Sequence, residues 1–220
     1  MKKLLYMGIC SLLLRLTAES FAGGGNACLI IKQSTDVTRL KEEINQKVTE
    51  GFIPEGISYD GEELYIMYMT EPNTVLEEWS LDVFANNDEL KAGLDKIMEK
   101  GYFPTGMTAN GGNIFLLSTK EKGLKITAYS FINTTWETME NDLKSDFDEG
   151  YIPVAIAVDE EGKYFVLMVT IPDTKVSEWE IEEYNKDEYK VAINKKIGEG
   201  YFPCGFEMGE DWVHILYIKM

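Results

Sequence analysis

The motif Gly51-Phe52-Ile53-Pro54 returns three more times along the chain, as Gly101-Tyr102-Phe103-Pro104, Gly150-Tyr151-Ile152-Pro153 and Gly200-Tyr201-Phe202-Pro203. We call this sequence of glycine, aromatic residue, apolar residue and proline the repeat motif. Its copies lie about 50 residues apart, which indicates four internal repeats. A second small residue stands two positions after each proline: Gly56, Gly106, Ala155 and Gly205.

An amphipathic helix is predicted before every copy of the repeat motif. Large apolar residues stand three, seven and eleven positions before each glycine, as Val48, Ile44 and Leu40 do in the first unit. A four-residue spacing places such residues on one face of a helix. The glycine suits the position just after the helix, where a left-handed backbone is needed, and the proline prevents the helix from continuing. The repeat motif therefore predicts a helix end followed by a strand.

Extended segments fill the rest of each unit. A strand after the repeat motif leads into a turn rich in Asp, Asn and Gly, which is typical of a β-hairpin. The return strands are the most apolar segments and carry apolar side chains on both faces: residues 64–69, 114–117, 164–169 and 212–218. A third strand precedes each helix. We therefore predict an α+β protein of four strand-helix-strand-strand units, mainly antiparallel sheet with the helices on one face.

The four units form two similar pairs. Five residues near the first junction recur 100 residues later: Thr70, Pro72, Thr74, Glu78 and Trp79 match Thr170, Pro172, Thr174, Glu178 and Trp179. This predicts a first repeat pair at residues 27–123 and a second at residues 124–220. Because no Gly/Ser-rich or Pro-rich linker divides the pairs, they are expected to form one compact body or two tightly packed halves.

The first 22 residues have the features of a secretory signal peptide. Lys2 and Lys3 precede an apolar run at residues 4–14, and the segment ends in small residues at Ala22. The run is too short to span a bilayer, and no later stretch is long enough. We therefore expect export to the periplasm or the cell exterior, with no membrane span after signal removal. The formal net charge of -17 disfavours nucleic acid and anionic lipid as partners.

Cys28 and Cys204 are the cysteines outside the predicted signal peptide. In an oxidising compartment they can form a disulfide that closes most of the chain into one loop. The sequence does not give the distance between them, so a bridge and two free thiols both stay open.

Candidate catalytic groups are few. His214 is the single histidine and lies in an apolar return strand, near Cys204 on the neighbouring strand, so a Cys204/His214 nucleophile and base pair is conceivable. A packed histidine is the simpler interpretation. A hidden carboxylate pair among the 38 acidic residues is a further possibility. A metal site built from Cys and His is excluded by their number, and no cofactor is expected.

Tryptophans and acids alternate on two predicted strands and form the candidate binding residues: Trp79, Trp179, Glu78, Glu178, Glu180 and Glu182. If exposed, the indoles would offer an aromatic surface to a sugar or a protein, and the carboxylates would attract cations. The alternatives are indoles packed into the core and an acidic strand face that discourages edge-to-edge pairing.

The repeat motif after a helix, followed by a hairpin, resembles the bacterial tandem repeats found N-terminal to the catalytic domain in polyglycine hydrolases and serine-hydrolase-like proteins. The four motif copies, and the tryptophan after the return strand in two units, carry this resemblance. We expect no hydrolase domain after the fourth repeat. The resemblance therefore implies an accessory binding or substrate-presenting array, with no catalytic residues to carry over.

These features favour an exported, non-catalytic protein that binds a protein or a cell-envelope polymer. An acidic inhibitor of an enzyme with a basic cleft is the second hypothesis. A hydrolase that uses Cys204 and His214, or a hidden carboxylate pair, is the third. Repeats count against an enzyme, because a catalytic site needs unlike residues whereas repeats multiply like ones.

Overall fold

The computed structural model describes residues 28–70, 75–174 and 176–219, and the predicted signal peptide lies outside them. The described elements follow the order strand, helix, strand, strand four times. The helices are α1 (Val37–Thr49), α2 (Asn87–Glu99), α3 (Met139–Asp148) and α4 (Tyr189–Gly198). The strands are β1 (Cys28–Gln33), β2 (Ile53–Tyr59), β3 (Leu64–Met69), β4 (Leu76–Phe84), β5 (Phe103–Asn110), β6 (Asn113–Glu121), β7 (Ala128–Thr134), β8 (Ile152–Val158), β9 (Tyr164–Thr170), β10 (Glu178–Asn185), β11 (Phe202–Met208) and β12 (Trp212–Lys219).

Each unit folds into a three-stranded antiparallel sheet with its return strand in the centre. The strand orders are β1-β3-β2, β4-β6-β5, β7-β9-β8 and β10-β12-β11. Both faces of β3 are buried, which accounts for its continuous apolar sequence: Leu64, Ile66 and Tyr68 share a core cluster with α1, whereas Met67 and Met69 belong to a second cluster. The prediction of an α+β protein built mainly of antiparallel sheet is confirmed.

The repeat motif ends each helix in the predicted way. Gly51 has φ +93°, its N–H donates to the Val48 carbonyl at 3.0 Å, and the Phe52 N–H donates to the Lys47 carbonyl at 3.1 Å. This pair of hydrogen bonds is a Schellman ending, which satisfies the last helical carbonyls. The glycines of the other three motif copies also have positive φ.

The strands that follow the repeat motif, β2, β5, β8 and β11, form a closed ring. Each of these ring strands contacts the next, and β11 contacts β2. The Met208 N–H donates to Ser58 Oγ at 2.7 Å across the seam between the last unit and the first. Strands of both predicted repeat pairs therefore meet around one axis.

The second small residue of the repeat lies where neighbouring ring strands approach most closely. A Cβ atom added at Gly106 would lie 2.5 Å from the backbone nitrogen of Ile57 and 2.7 Å from the Cα of Gly56. Next to this contact, Thr105 Oγ1 donates to the Pro54 carbonyl at 3.2 Å. A side chain at Gly106 would push the two backbones apart, so the glycine is needed for ring closure.

The outer strands β4, β7 and β10 pack against the helix of the preceding unit. Trp79 of β4 donates to Asn45 of α1 at 2.9 Å, and burial, followed by the nearby Asp95 of α2, raises the pKa of Tyr129 in β7. Helix α4 contacts β1, which closes the same pattern around the molecule. No helix among the described residues is long and apolar enough to cross a membrane.

Candidate functional site

The hairpin turns that follow the four ring strands converge at one end of the ring and surround an open cleft. The cleft has a volume of about 860 Å³, within the range of about 300–1,000 Å³ typical of ligand sites. We call it the hairpin cleft. Its lining includes the equivalent turn positions of all four units: Asp60, Asn110, Asp159 and Gly209. The four units therefore bring different side chains to one place.

Asp60, in the first turn, is held by contacts inside the protein. Its Oδ1 accepts the N–H groups of Glu62 and Glu63 at 3.0 and 2.8 Å, and its Oδ2 accepts from Lys186 at 2.5 Å and from the Tyr65 hydroxyl at 2.9 Å. Burial alone would raise the pKa of Asp60, but these donors outweigh it and lower the pKa to about 2. Lys186 therefore neutralises this carboxylate and joins the last unit to the first.

The third turn holds more exposed acids. Asp159 Oδ1 accepts the N–H groups of Glu161 and Lys163, both at 2.9 Å. Lys163 also contacts the Glu161 carboxylate at 2.8 Å. Glu160, at the tip of the turn, is exposed and lines the hairpin cleft. The third turn therefore presents acidic oxygens to the cleft.

Trp212 forms part of the apolar wall of the cleft. A Cβ at Gly209 would lie 2.2 Å from the indole of Trp212, so only glycine leaves room for this ring. The indole also stacks on His214, with ring centroids 4.1 Å apart. His214 also stacks on Trp136 at 3.7 Å. Trp212 is thus held by contacts with a glycine and with a buried imidazole.

Both nitrogens of His214 have partners. Nδ1 lies 2.8 Å from the Tyr164 hydroxyl, and Nε2 lies 2.8 Å from Glu183 Oε2. Burial lowers the pKa of His214 below its usual value, and Glu183 opposes this only in part. Within the described residues, the sequence-predicted histidine therefore belongs to a packed aromatic and polar network.

Cys204 occupies a different environment from His214. Its Sγ donates to the Leu216 carbonyl at 3.5 Å, and it lines a small cavity near Glu55, Thr105 and Val154. These are the residues that follow the motif proline in the four units. Burial raises the pKa of Cys204 far above its usual range. Cys204 and His214 therefore take part in separate sets of contacts.

The two cysteines are both free thiols in the structure. Cys28 begins the outer strand of the first sheet, whereas Cys204 lies on a ring strand. Burial, and then the charge of Glu55, raise the pKa of Cys28 to about 12.

The candidate binding tryptophans are half-buried on outer strands. Trp79 contacts α1, as described above, and the Trp179 indole lies 6.1 Å from the Phe147 ring of α3. Each tryptophan thus joins the even-numbered unit of a pair to the helix of the unit before it.

The candidate acids contact side chains of their own units. Glu78 accepts from the Tyr102 hydroxyl at 2.5 Å, and the Tyr201 hydroxyl lies 2.8 Å from Glu178 and 2.6 Å from Glu180. Lys196 pairs with Glu180 and, at 3.1 Å, with Glu182. Tyr102 and Tyr201 of the repeat motif therefore contact acids of the outer strands β4 and β10.

A buried polar layer lies beneath the hairpin cleft and was not recognised from the sequence. It occupies equivalent positions on the ring strands, of which three carry polar side chains, Ser58, Thr108 and Glu207, and the fourth is Ala157. Burial raises the pKa of Glu207 well above its usual value, although hydrogen bonds from Ser58 and the Val158 N–H oppose this. Glu207 Oε2 and Thr108 Oγ1 are buried without a hydrogen-bond partner among the described residues. The sequence contained one signal of this layer: at the position of Glu207 in the fourth unit, the other three units have smaller, uncharged residues.

Within the described ranges, no cluster of three or more His, Cys, Asp or Glu side chains could hold a metal ion. Comparisons of the chain with protein-family models and with curated proteins found no match in either case.

Proposed function

We propose that the protein is an exported, non-catalytic binding protein, and that the hairpin cleft is its binding site. The observation that carries the proposal is the convergence of one turn from every unit on a cleft of about 860 Å³. Concave sites with apolar walls and a few polar groups are typical of ligand binding. The partner is a protein or a cell-envelope polymer, and the features of residues 1–22 support export.

We propose that the helices leave this end of the ring open. We propose that all four helices lie on one face of their sheets, away from the ring axis. Support comes from Leu40 and Ile44 of α1, which share a core cluster with Leu64, Ile66 and Tyr68 on one face of β3. With the helices on that face, the hairpin turns stay free to contact a partner.

The contacts of the catalytic candidates favour binding over hydrolysis. Both nitrogens of His214 are occupied by Tyr164 and Glu183, and the raised pKa of Cys204 keeps its thiol protonated. The hypothesis of an acidic inhibitor is a special case of the same proposal, in which a basic enzyme cleft receives the acidic turns.

The test compares two alanine-to-arginine variants in the second unit. Ala85 is exposed and lines the cleft, whereas Ala92 is exposed on α2. Immobilised protein is incubated with envelope and secreted fractions, and bound material is quantified. We expect Ala85→Arg to lose its partner and Ala92→Arg to retain it. Equal retention by both variants would exclude the cleft as the site.

A Cys204→Ser variant tests the hydrolase alternative. Serine is a close match in size to cysteine, so the fold should survive. Any hydrolytic activity found in the purified protein that disappears with this substitution would overturn the non-catalytic proposal.

A further inference from the structure

We infer that the hairpin cleft binds a basic, apolar peptide segment of a partner protein. This inference rests on the proposed function and adds the chemistry of the ligand. It follows from the charge of the cleft, from the composition of its apolar wall, and from the way these two features are placed on different units.

The charge of the cleft has one sign. Among the described residues that line it, none is a lysine or an arginine, whereas four carry a carboxylate: Asp60, Asp159, Glu160 and Glu161. Asp60 is neutralised by Lys186 and Glu161 is paired with Lys163. Asp159 and Glu160 remain on the third turn as acceptors for a cationic side chain of a ligand. The charge of -17 on the whole chain extends this preference over a longer range.

Four asparagines add neutral hydrogen-bonding groups to the lining: Asn86, Asn87, Asn110 and Asn113. Amides donate and accept hydrogen bonds, so they suit the alternating N–H and C=O groups of a peptide backbone. Asn86 already uses its side-chain oxygen to accept the Glu89 N–H at 2.9 Å. The other three lie on turns or at the helix start, where a backbone can reach them.

The apolar part of the lining is large and varied in shape. It contains aromatic rings and two methionines: Phe131, Phe165, Trp212, Met107 and Met208. The three rings are half-buried and the two methionines are buried, so the rings provide most of the contact surface, and aromatic residues contribute large contact areas in protein interfaces. An apolar side chain of the ligand therefore has a surface to cover, which a purely ionic ligand would leave exposed.

Charge complementarity selects a peptide over the other classes. Nucleic acid and anionic lipid would meet an acidic rim whose neighbouring cations, Lys163 and Lys186, are already paired with carboxylates. A neutral sugar could donate its hydroxyl groups to Asp159 and Glu160, but it would bring no positive charge to balance their carboxylates. A segment with alternating basic and apolar side chains uses all three parts of the lining.

The experiment uses three probes with the purified full-length protein. They are a short blocked peptide in which lysine alternates with leucine, its counterpart in which glutamate replaces lysine, and an oligosaccharide of N-acetylglucosamine. Binding is measured by calorimetry and by tryptophan fluorescence, because Trp212 lines the cleft. We expect the lysine peptide to bind, and the fluorescence change to disappear in Trp212→Phe. Raising the ionic strength should weaken binding, since salt screens exposed charges.

Two matched variants isolate the acidic contact. Glu160→Gln removes a charge that lines the cleft, whereas Glu62→Gln removes one from the first turn, outside the lining. The loss of one exposed ionic contact should weaken lysine-peptide binding about two- to fivefold in Glu160→Gln. Glu62→Gln should change it much less. Equal weakening by both variants would show that general charge, rather than the cleft, attracts the peptide, and would overturn the inference.

The remaining outcomes separate the inference from the proposed function. Equal binding of the glutamate peptide, or binding of the sugar alone, overturns the peptide assignment. If no probe binds while Ala85→Arg still loses its natural partner, the ligand class is wrong and the binding site stands. If no probe binds and Ala85→Arg also keeps its partner, both proposals fail.

Discussion

Replacing Gly106 with alanine tests the closed ring directly. The new Cβ would lie 2.5 Å from the Ile57 nitrogen and 2.7 Å from the Gly56 Cα. Both are backbone atoms, so no rotamer change can remove the clash, and β5 must move away from β2. Overpacking of this kind costs about 1–3 kcal/mol. Since each kcal/mol lowers the melting temperature of a chain this long by about 2–4 °C, we expect a decrease of roughly 2–12 °C.

Gly205→Ala is the matched control at the equivalent position of the fourth unit. Its Cβ would lie 3.4 Å from Ala155 Cα and from the Ile156 backbone nitrogen and side chain, close to ordinary van der Waals contact. The third unit already carries an alanine, Ala155, at this position. Alanine also restricts the unfolded chain, which stabilises a protein by about 0.4–1 kcal/mol where the backbone permits it. We therefore expect Gly205→Ala to match the original chain or exceed its stability slightly.

Urea denaturation, followed by circular dichroism and tryptophan fluorescence, measures both variants. A lower midpoint for Gly106→Ala with an unchanged slope would assign the loss to the native state. If Gly106→Ala and Gly205→Ala unfold at the same urea concentration, β2 and β5 do not approach each other as described. The closed ring would then be wrong.

Three further predictions concern a buried acid, the seam and an outer strand. The folded protein favours the neutral form of Glu207, because burial raises the pKa of this carboxyl. The resulting stabilisation is present below pH 4.5 and is lost as the pH rises towards the raised pKa, so the melting temperature should fall over this range. Glu207→Gln should make the fall smaller, and an unchanged pH profile would contradict the prediction. Lys186→Met leaves the Asp60 carboxylate without its cation and should lower the free energy of unfolding in denaturant by about 1–3 kcal/mol. An unchanged unfolding midpoint would show that the contact between Lys186 and Asp60 does not stabilise the seam. Trp179→Ala loses the contact with Phe147 and should lower the free energy of unfolding by about 1–3 kcal/mol, because the indole is only half-buried. The affinity of the hairpin cleft for its ligand should not change. Weaker ligand binding would place the outer strand in the binding site.

The local structure of the units was predictable because its causes are local. A glycine after an apolar helical stripe, followed by a proline, permits little other than a helix end and a new strand. The observed φ of +93° at Gly51 and the Schellman hydrogen bonds follow from this chemistry. The apolar residues on both faces of β3 likewise predicted a strand covered on both faces, and its alternating side chains belong to two core clusters.

The closed ring was not predictable, because its cause lies in contacts between units. Gly56 and Gly106 look like ordinary small residues of a hairpin until two backbones meet there. The same limit applies to the functional residues. Tryptophans alternating with acids on a strand suggest an exposed surface, yet Trp79 lies against Asn45 of the preceding helix. Periodicity identifies which face of a strand a residue occupies but not which neighbouring element covers that face.

A repeat protein can still build a site from unlike residues, although the sequence alone suggests that repeats only multiply like ones. Ring closure places one turn from every unit at the same height, so a single substitution per unit is enough to make the cleft asymmetric. In the first unit Asp60 forms an ion pair with Lys186 of the last unit. In the fourth unit Gly209 leaves space for the indole of Trp212. The exposed acid Glu160 belongs to the third unit. Because β8 and β11 are neighbours in the ring, a basic, apolar ligand would place its cation at the third turn and its apolar side chain against the fourth.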